Sequence, residues 1–152
     1  MKIIFLDIDG VLNVIPQGFD KYGGIFHNHF VKNLEYIINK TKAKIVITSS
    51  WRSMGLNNLK QMWIDRNLPG DIIGITSNKI NIDRGHEIQQ WINNNNIKCY
   101  CIIDDDIDML PSQMNNFVRT SYNYKHKDCV DLGYGLTKIC SNHVISILNK
   151  CN

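Results

Sequence analysis

Three times along the chain a short apolar run stops at a cluster of polar residues, and an amphipathic stretch follows. Lys2 to Leu6 stops at Asp7-Ile8-Asp9-Gly10, Ala43 to Ile47 at Thr48-Ser49-Ser50-Trp51-Arg52, and Lys98 to Ile103 at Asp104-Asp105-Asp106-Ile107-Asp108. Runs this short and this continuously apolar read as buried strands. Asn28 is expected to cap a helix to about Lys40, with Phe30, Val31, Leu34, Ile37 and Ile38 on its core face. Leu56, Leu59, Met62 and Trp63 mark a second helix, stopped by Pro69-Gly70. Asp83 opens a third with Ile88, Trp91 and Ile92 inward, and Thr137 a last one carrying Ile139, Val144, Ile147 and Leu148. Asp71 to Ile75 and Phe117 to Thr120 read as short strands, and residues 13 to 27 as an irregular loop or small hairpin turning at Tyr22-Gly23-Gly24. The alternation predicts an α/β fold, a mainly parallel sheet with helices on both faces.

A chain of 152 residues suits a single domain spanning residues 1–152. The net charge of +3 is too small to argue for nucleic acid by itself, yet it permits an anionic substrate. No apolar run is long enough for a membrane helix, and Asp7 and Asp9 break what would otherwise look like a signal peptide. The five cysteines, Cys99, Cys101, Cys129, Cys140 and Cys151, form no disulfide framework, so free thiols in a reducing, cytoplasmic setting are expected. Cys99 and Cys101 read as ordinary buried strand residues rather than zinc ligands.

In an open α/β sheet, ligands sit at the carboxyl ends of the strands. That rule brings Asp7 and Asp9, Thr48 and Ser49, and the acids from Asp104 onward to one edge of the sheet. Carboxylates gathered in this way repel, and a divalent cation offsets the repulsion. Hard oxygen donors suit Mg2+.

Asp-x-Asp-Gly-Val after a first strand, Thr/Ser after a second, a basic residue opening a helix and an acidic cluster after a later strand resemble the haloacid dehalogenase (HAD) superfamily. Phe5-Leu6-Asp7-Ile8-Asp9-Gly10-Val11-Leu12, Thr48-Ser49-Ser50-Trp51-Arg52, Arg84, Ile103-Asp104-Asp105 and Gly135-Leu136-Thr137 further resemble the compact branch associated with Swiss Army Knife RNA repair proteins. The resemblance implies a three-layer Rossmann-like core and a Mg2+-dependent phosphatase working through an aspartyl-phosphate. Asp7 would be the nucleophile, and Asp9 would protonate the leaving oxygen and then activate water. Gly10 would let the chain turn beside the phosphate. Thr48, with Ser49 as rival, would bond a phosphoryl oxygen, and either hydroxyl could instead cap the next helix. Arg84, with Lys79 as fallback, would steady the phosphoryl charge. Metal ligands would come from Asp7, Asp9 through its backbone carbonyl, and Asp105, with Asp104 close behind. Asp106 and Asp108 read as supporting or helix-starting acids.

Trp51 and Arg52 read either as packing and a surface charge or, for Arg52, as a group that holds substrate phosphate or orders the acids. His27 and His29 are possible rim contacts. Neither gap around the second motif, Asn13 to Thr48 or Ser53 to Asp83, has room for a large cap domain. An open site fits a macromolecular substrate, and the resemblance points to nucleic-acid phosphate ends. Phe19, Tyr22 and Phe26 would stack on a base or form the hairpin's own core, and Tyr122 to Lys127 would touch a nucleic-acid backbone or be a solvated loop. The competing readings are a HAD-fold nucleic-acid-binding or regulatory module with little turnover, and phosphotransfer to an acceptor other than water.

Overall fold

The structure is a computed structural model and describes residues 1–77, 82–120 and 134–151. Lys79, Cys129 and the stretch Tyr122 to Lys127 lie outside the described residues. The sheet consists of β1 (Lys2–Leu6), β4 (Lys44–Ile47), β5 (Ile72–Ile75), β6 (Cys99–Asp104) and β7 (Phe117–Arg119), all parallel, in the order β5-β4-β1-β6-β7. A two-stranded hairpin, β2 (Phe19–Asp20) and β3 (Gly23–Gly24), stands apart from it. The helices are α1 (Asn28–Thr41), α2 (Leu56–Asp65), α3 (Arg84–Asn95) and α4 (Lys138–Asn149).

β1 is central because nearly all of it can be buried: Ile3, Ile4, Phe5 and Leu6 have no exposure. Alternate residues serve opposite faces. Ile4 and Leu6 join Ile45, Ile47, Cys101 and Ile103 beneath α1, α2 and α4. Ile3 and Phe5 join Val46 and Ile102 against Ile88 and Ile92 of α3. Phe5 meets Trp91 edge-on at 5.6 Å between ring centres. Burying each such side chain contributes about 1.5–3 kcal/mol, so helices on both sides are what a fully apolar strand requires. The chain runs β1, β4, β5 to one side and returns to β6 and β7 on the other, so its direction reverses at β1. Among the described residues no cap domain stands over this edge, and no helix is long and apolar enough to cross a membrane.

Several local expectations are corrected. His27, not Asn28, caps α1: its Nδ1 accepts the His29 amide at 3.2 Å. Asp83 precedes α3 without a side-chain cap. Asp108 serves from across the site, its carboxylate accepting from the Arg84 amide at 3.4 Å and its carbonyl from the Gly85 amide at 3.1 Å. Ile139 is exposed on α4. Short 3-10 helices at Ser50–Met54 and Pro111–Asn116 lie in stretches with no apolar period to announce them. Phe26 enters the main core while Phe19 stays exposed, so the hairpin has no aromatic core of its own. The expectation of free thiols fails at Cys99, which is joined to Cys151. The start of β6 and the end of α4 meet there, and nothing in a spacing of 52 residues reveals that meeting. Cys101 and Cys140 are free.

Candidate active site

The registers carry the polar strand ends into one row. The Asp7 amide continues the ladder to the Ile103 carbonyl at 3.0 Å, so Asp7 lies beside Asp104. The Thr48 amide bonds the Leu6 carbonyl at 3.0 Å, which puts Thr48 on the other side of Asp7. Residues 8–13 form a tight loop just beyond β1, where the amides of Val11, Leu12 and Asn13 all donate to the Ile8 carbonyl at 2.8–3.1 Å. Outside bonds fix the loop: Thr120 Oγ1 donates to the Gly10 carbonyl at 2.9 Å, and the Leu136 amide to the Val11 carbonyl at 2.9 Å.

Gly10 is required here on two grounds. Its φ is +76°, a conformation that L side chains rarely adopt. A Cβ built on it would lie 2.4 Å from Asp105 Cγ. Glycine thus lets the loop after β1 touch the acid after β6.

Asp7, Asp104 and Asp105 each bring a carboxylate oxygen within 4.8 Å of the others. Arg84, the first residue of α3, reaches into the group. Its Nη1 lies 3.2 Å from Asp7 Oδ2 and 2.5 Å from Asp104 Oδ2. Among the described residues one guanidinium faces these three carboxylates, so ionising all three leaves an excess of negative charge. Burial, and then the Asp7 charge, push Asp105 up to about 6. The same two causes push Asp104 upward, against the pull of Arg84 and the Asp106 amide. Burial disfavours the charge on Arg84, but Asp104 and Asp7 more than compensate and hold it above its ordinary value.

A depression of about 370 Å³ opens over the group, lined by Asp7, Asp9, Gly10, Asn13, Val14, Pro16, Ser50, Arg84 and Asp105. Asp105 therefore faces the opening. Asp104 is fully buried beneath it, its Oδ2 held by Arg84 and its Oδ1 by the Asp106 amide at 3.0 Å. Asp9 lines the depression, yet its carboxylate is not among the three that converge. It turns to the Trp51 indole, whose Nε1 lies 3.0 and 3.2 Å from its two oxygens, and to Asn13 Nδ2 at 2.8 Å.

Thr48 is fully buried, and its Oγ1 has no hydrogen-bond partner. Ser49 is also buried, but its Oγ accepts the Trp51 amide at 3.4 Å and caps the Ser50–Met54 turn. Arg52 does not line the depression. It holds Glu87 of α3 at 3.0 Å and donates to the Thr48 carbonyl, with its side chain 9% exposed and that of Glu87 3%. It is not a surface charge; it ties the end of β4 to α3.

Sequence reasoning passed over Ser50, Asn13 and Glu87. Ser50 extends the Thr48-Ser49 pair by one residue. Glu87 stands one helical turn beyond Arg84, a spacing that shares a face. The turn of Asp9 toward Trp51 has no sequence signal, because it joins two different strand ends.

Residues 3–124 match the model of a family described as the HAD domain in Swiss Army Knife RNA repair proteins. Among solved structures, a HAD superfamily (subfamily III A) hydrolase from Legionella pneumophila is similar at 14% identity, with a TM-score of 0.48, covering 98% of this chain and 84% of that one. No curated protein matches. The family match takes in the loop after β1, the Thr48 strand end, Arg84 and the acids after β6, and it spans well over half of the sequence: the chain belongs to the HAD domains found in Swiss Army Knife RNA repair proteins, within the HAD superfamily.

Proposed function

We propose that the protein is a Mg2+-dependent phosphomonoesterase that works through an aspartyl-phosphate on Asp7. The observation that carries this reading is the convergence of Asp7, Asp104 and Asp105 around a single guanidinium at the open edge of the sheet. Hard oxygen donors with an excess of negative charge when ionised fit a small divalent cation, with Asp7 and Asp105 as the groups facing the opening. Mg2+, when bound there, offsets the carboxylate repulsion and draws charge from the phosphoryl oxygens.

The residues of the chain divide the reaction between them. An Asp7 carboxylate oxygen attacks phosphorus, the P–O bond to the leaving group breaks, and Asp9 gives that oxygen its proton. Water then attacks the phosphorus of the phospho-Asp7. The bond to Asp7 breaks, a water proton passes to Asp9, and inorganic phosphate leaves with both aspartates restored. Arg84 opposes the negative charge that develops on the phosphoryl oxygens. The unpartnered Thr48 hydroxyl supplies a further hydrogen bond to one of them.

The family description and an edge with no cap over it among the described residues favour phosphate at polynucleotide ends as the substrate. The test is phosphate release from p-nitrophenyl phosphate and from 3′- and 5′-phosphorylated oligonucleotides, with Mg2+ or with EDTA. Release that needs Mg2+ and disappears in Asp7→Asn is expected. Release that survives Asp7→Asn removes Asp7 as nucleophile, and turnover of p-nitrophenyl phosphate alone removes the oligonucleotide assignment.

A further inference from the structure

We infer that Trp51 is a positioning residue for Asp9: its indole N–H holds the carboxylate that handles the leaving-group proton. This rests on the phosphatase reading above and adds a residue to it. Trp51 Nε1 lies 3.0 Å from Asp9 Oδ2 and 3.2 Å from Oδ1. Asn13 Nδ2, at 2.8 Å, already occupies Oδ1. Oδ1 thus accepts from both donors and Oδ2 from the indole alone, so the two donors together fix the plane of the carboxylate. An indole N–H only donates and does not titrate in the working range, so it serves Asp9 as a fixed mark in either protonation state.

The ring itself is held from several sides. The Ser49 hydroxyl accepts the Trp51 amide at the start of its turn. Phe26 meets the ring edge-on at 5.3 Å, and the Arg66 guanidinium carbon lies 5.6 Å from its centre. Arg66 is fastened in turn to Asp20 of the hairpin through Nε at 2.9 Å and Nη2 at 2.7 Å. Gly23 of the same hairpin lies against the ring's far edge, where an added Cβ would be 3.6 Å from Cη2. Swinging the indole away from Asp9 thus means disturbing the hairpin and its anchor at Arg66, just past the end of α2. An acid with two rotatable side-chain bonds at an exposed site gains from such a support.

Trp51→Phe keeps an aromatic ring, though a smaller one, and deletes the donor. A fault in proton delivery harms poor leaving groups most, because a stable leaving anion departs unaided. For an alkyl phosphate, kcat is expected to fall by about tenfold or more, the scale of one hydrogen bond to a charged group. For p-nitrophenyl phosphate it should change by less than about threefold, with KM little altered in both cases. Equal losses across leaving groups, or an effect on KM alone, overturn the inference. Nuclear magnetic resonance of the three tryptophan indole N–H groups gives a reading free of turnover. Asp9→Asn should move the Trp51 resonance; if it stays in place, the contact is absent and the inference fails alone. No phosphate release from any ester by the unsubstituted protein overturns the phosphatase reading and the inference with it.

Discussion

Gly10 shows how much a missing side chain can decide at the residue scale. Its backbone lies at φ +76° against the Asp105 carboxylate, which faces the depression. Gly10→Ala asks for two adjustments. The left-handed backbone costs about 1–2 kcal/mol for a residue with a Cβ, and Asp105 must yield, since 2.4 Å is far inside contact distance. The second adjustment falls on the ion-facing acid, so the variant should lose Mg2+ response out of proportion to stability. The expected outcome is a melting temperature lower by several degrees and a rise of about tenfold or more in the Mg2+ needed for half-maximal rate. A stability loss with an unchanged Mg2+ requirement would detach Gly10 from the metal side of the site. The Asp-x-Asp-Gly spacing was visible in the sequence because it is local. The opposition of Gly10 to Asp105 was not, because it depends on β1 and β6 lying side by side in register.

At the scale of elements, strands and helices were legible wherever burial is continuous. β1 and β4 were read almost to their ends because every residue after the first is buried in each. Where a polar residue chooses its partner across space, the sequence was silent: Asp108 serves α3 in place of Asp83, and Arg52 turns to Glu87 of α3. The Arg52–Glu87 pair fastens the end of β4, through the Thr48 carbonyl, to the helix whose first residue is Arg84. Burial pushes the Glu87 carboxyl upward, and Arg52 and then Arg84 pull it down. Removing one member strands the other in a dry place, a loss of about 3–5 kcal/mol, whereas replacing both by apolar groups is often neutral. Arg52 Nε has no partner, which lowers the worth of the pair further. Urea unfolding should therefore show Arg52→Met and Glu87→Met each strongly destabilised, and the double variant Arg52→Met with Glu87→Met recovering at least half of the larger loss. A double variant as unstable as the sum of the two singles would mean that the pair does not act as a unit.

At the scale of the whole molecule, the fold concentrates negative charge at one edge of its sheet, and the cost of doing so depends on pH. Asp105 is raised to about 6 by burial and by Asp7, from an ordinary value near 3.8. A carboxyl with a raised folded pKa keeps its proton more tightly when folded than when unfolded. Its contribution favours folding at low pH and is lost as pH rises from about 4 through about 6. Asp104 is shifted in the same direction and adds to the slope. A divalent ion binds only the ionised group, so it competes with the proton below about 6 and replaces it above. Ligand binding to the folded state raises stability by RT ln(1 + c/Kd), with c the free Mg2+ concentration, so the gain grows as the affinity does. The gain in melting temperature from a fixed Mg2+ concentration should accordingly be small at pH 5, grow through pH 6 and level off by pH 7.5. Without Mg2+, the contribution of these acids should run the opposite way over the same range. Asp105→Asn removes the titrating group and a proposed ligand together, so it should flatten both trends. A Mg2+ gain that is equal at pH 5 and pH 7.5, or that persists undiminished in Asp105→Asn, would place the ion away from this edge and leave Arg84, among the described residues, as the counter-charge to Asp7 and Asp104.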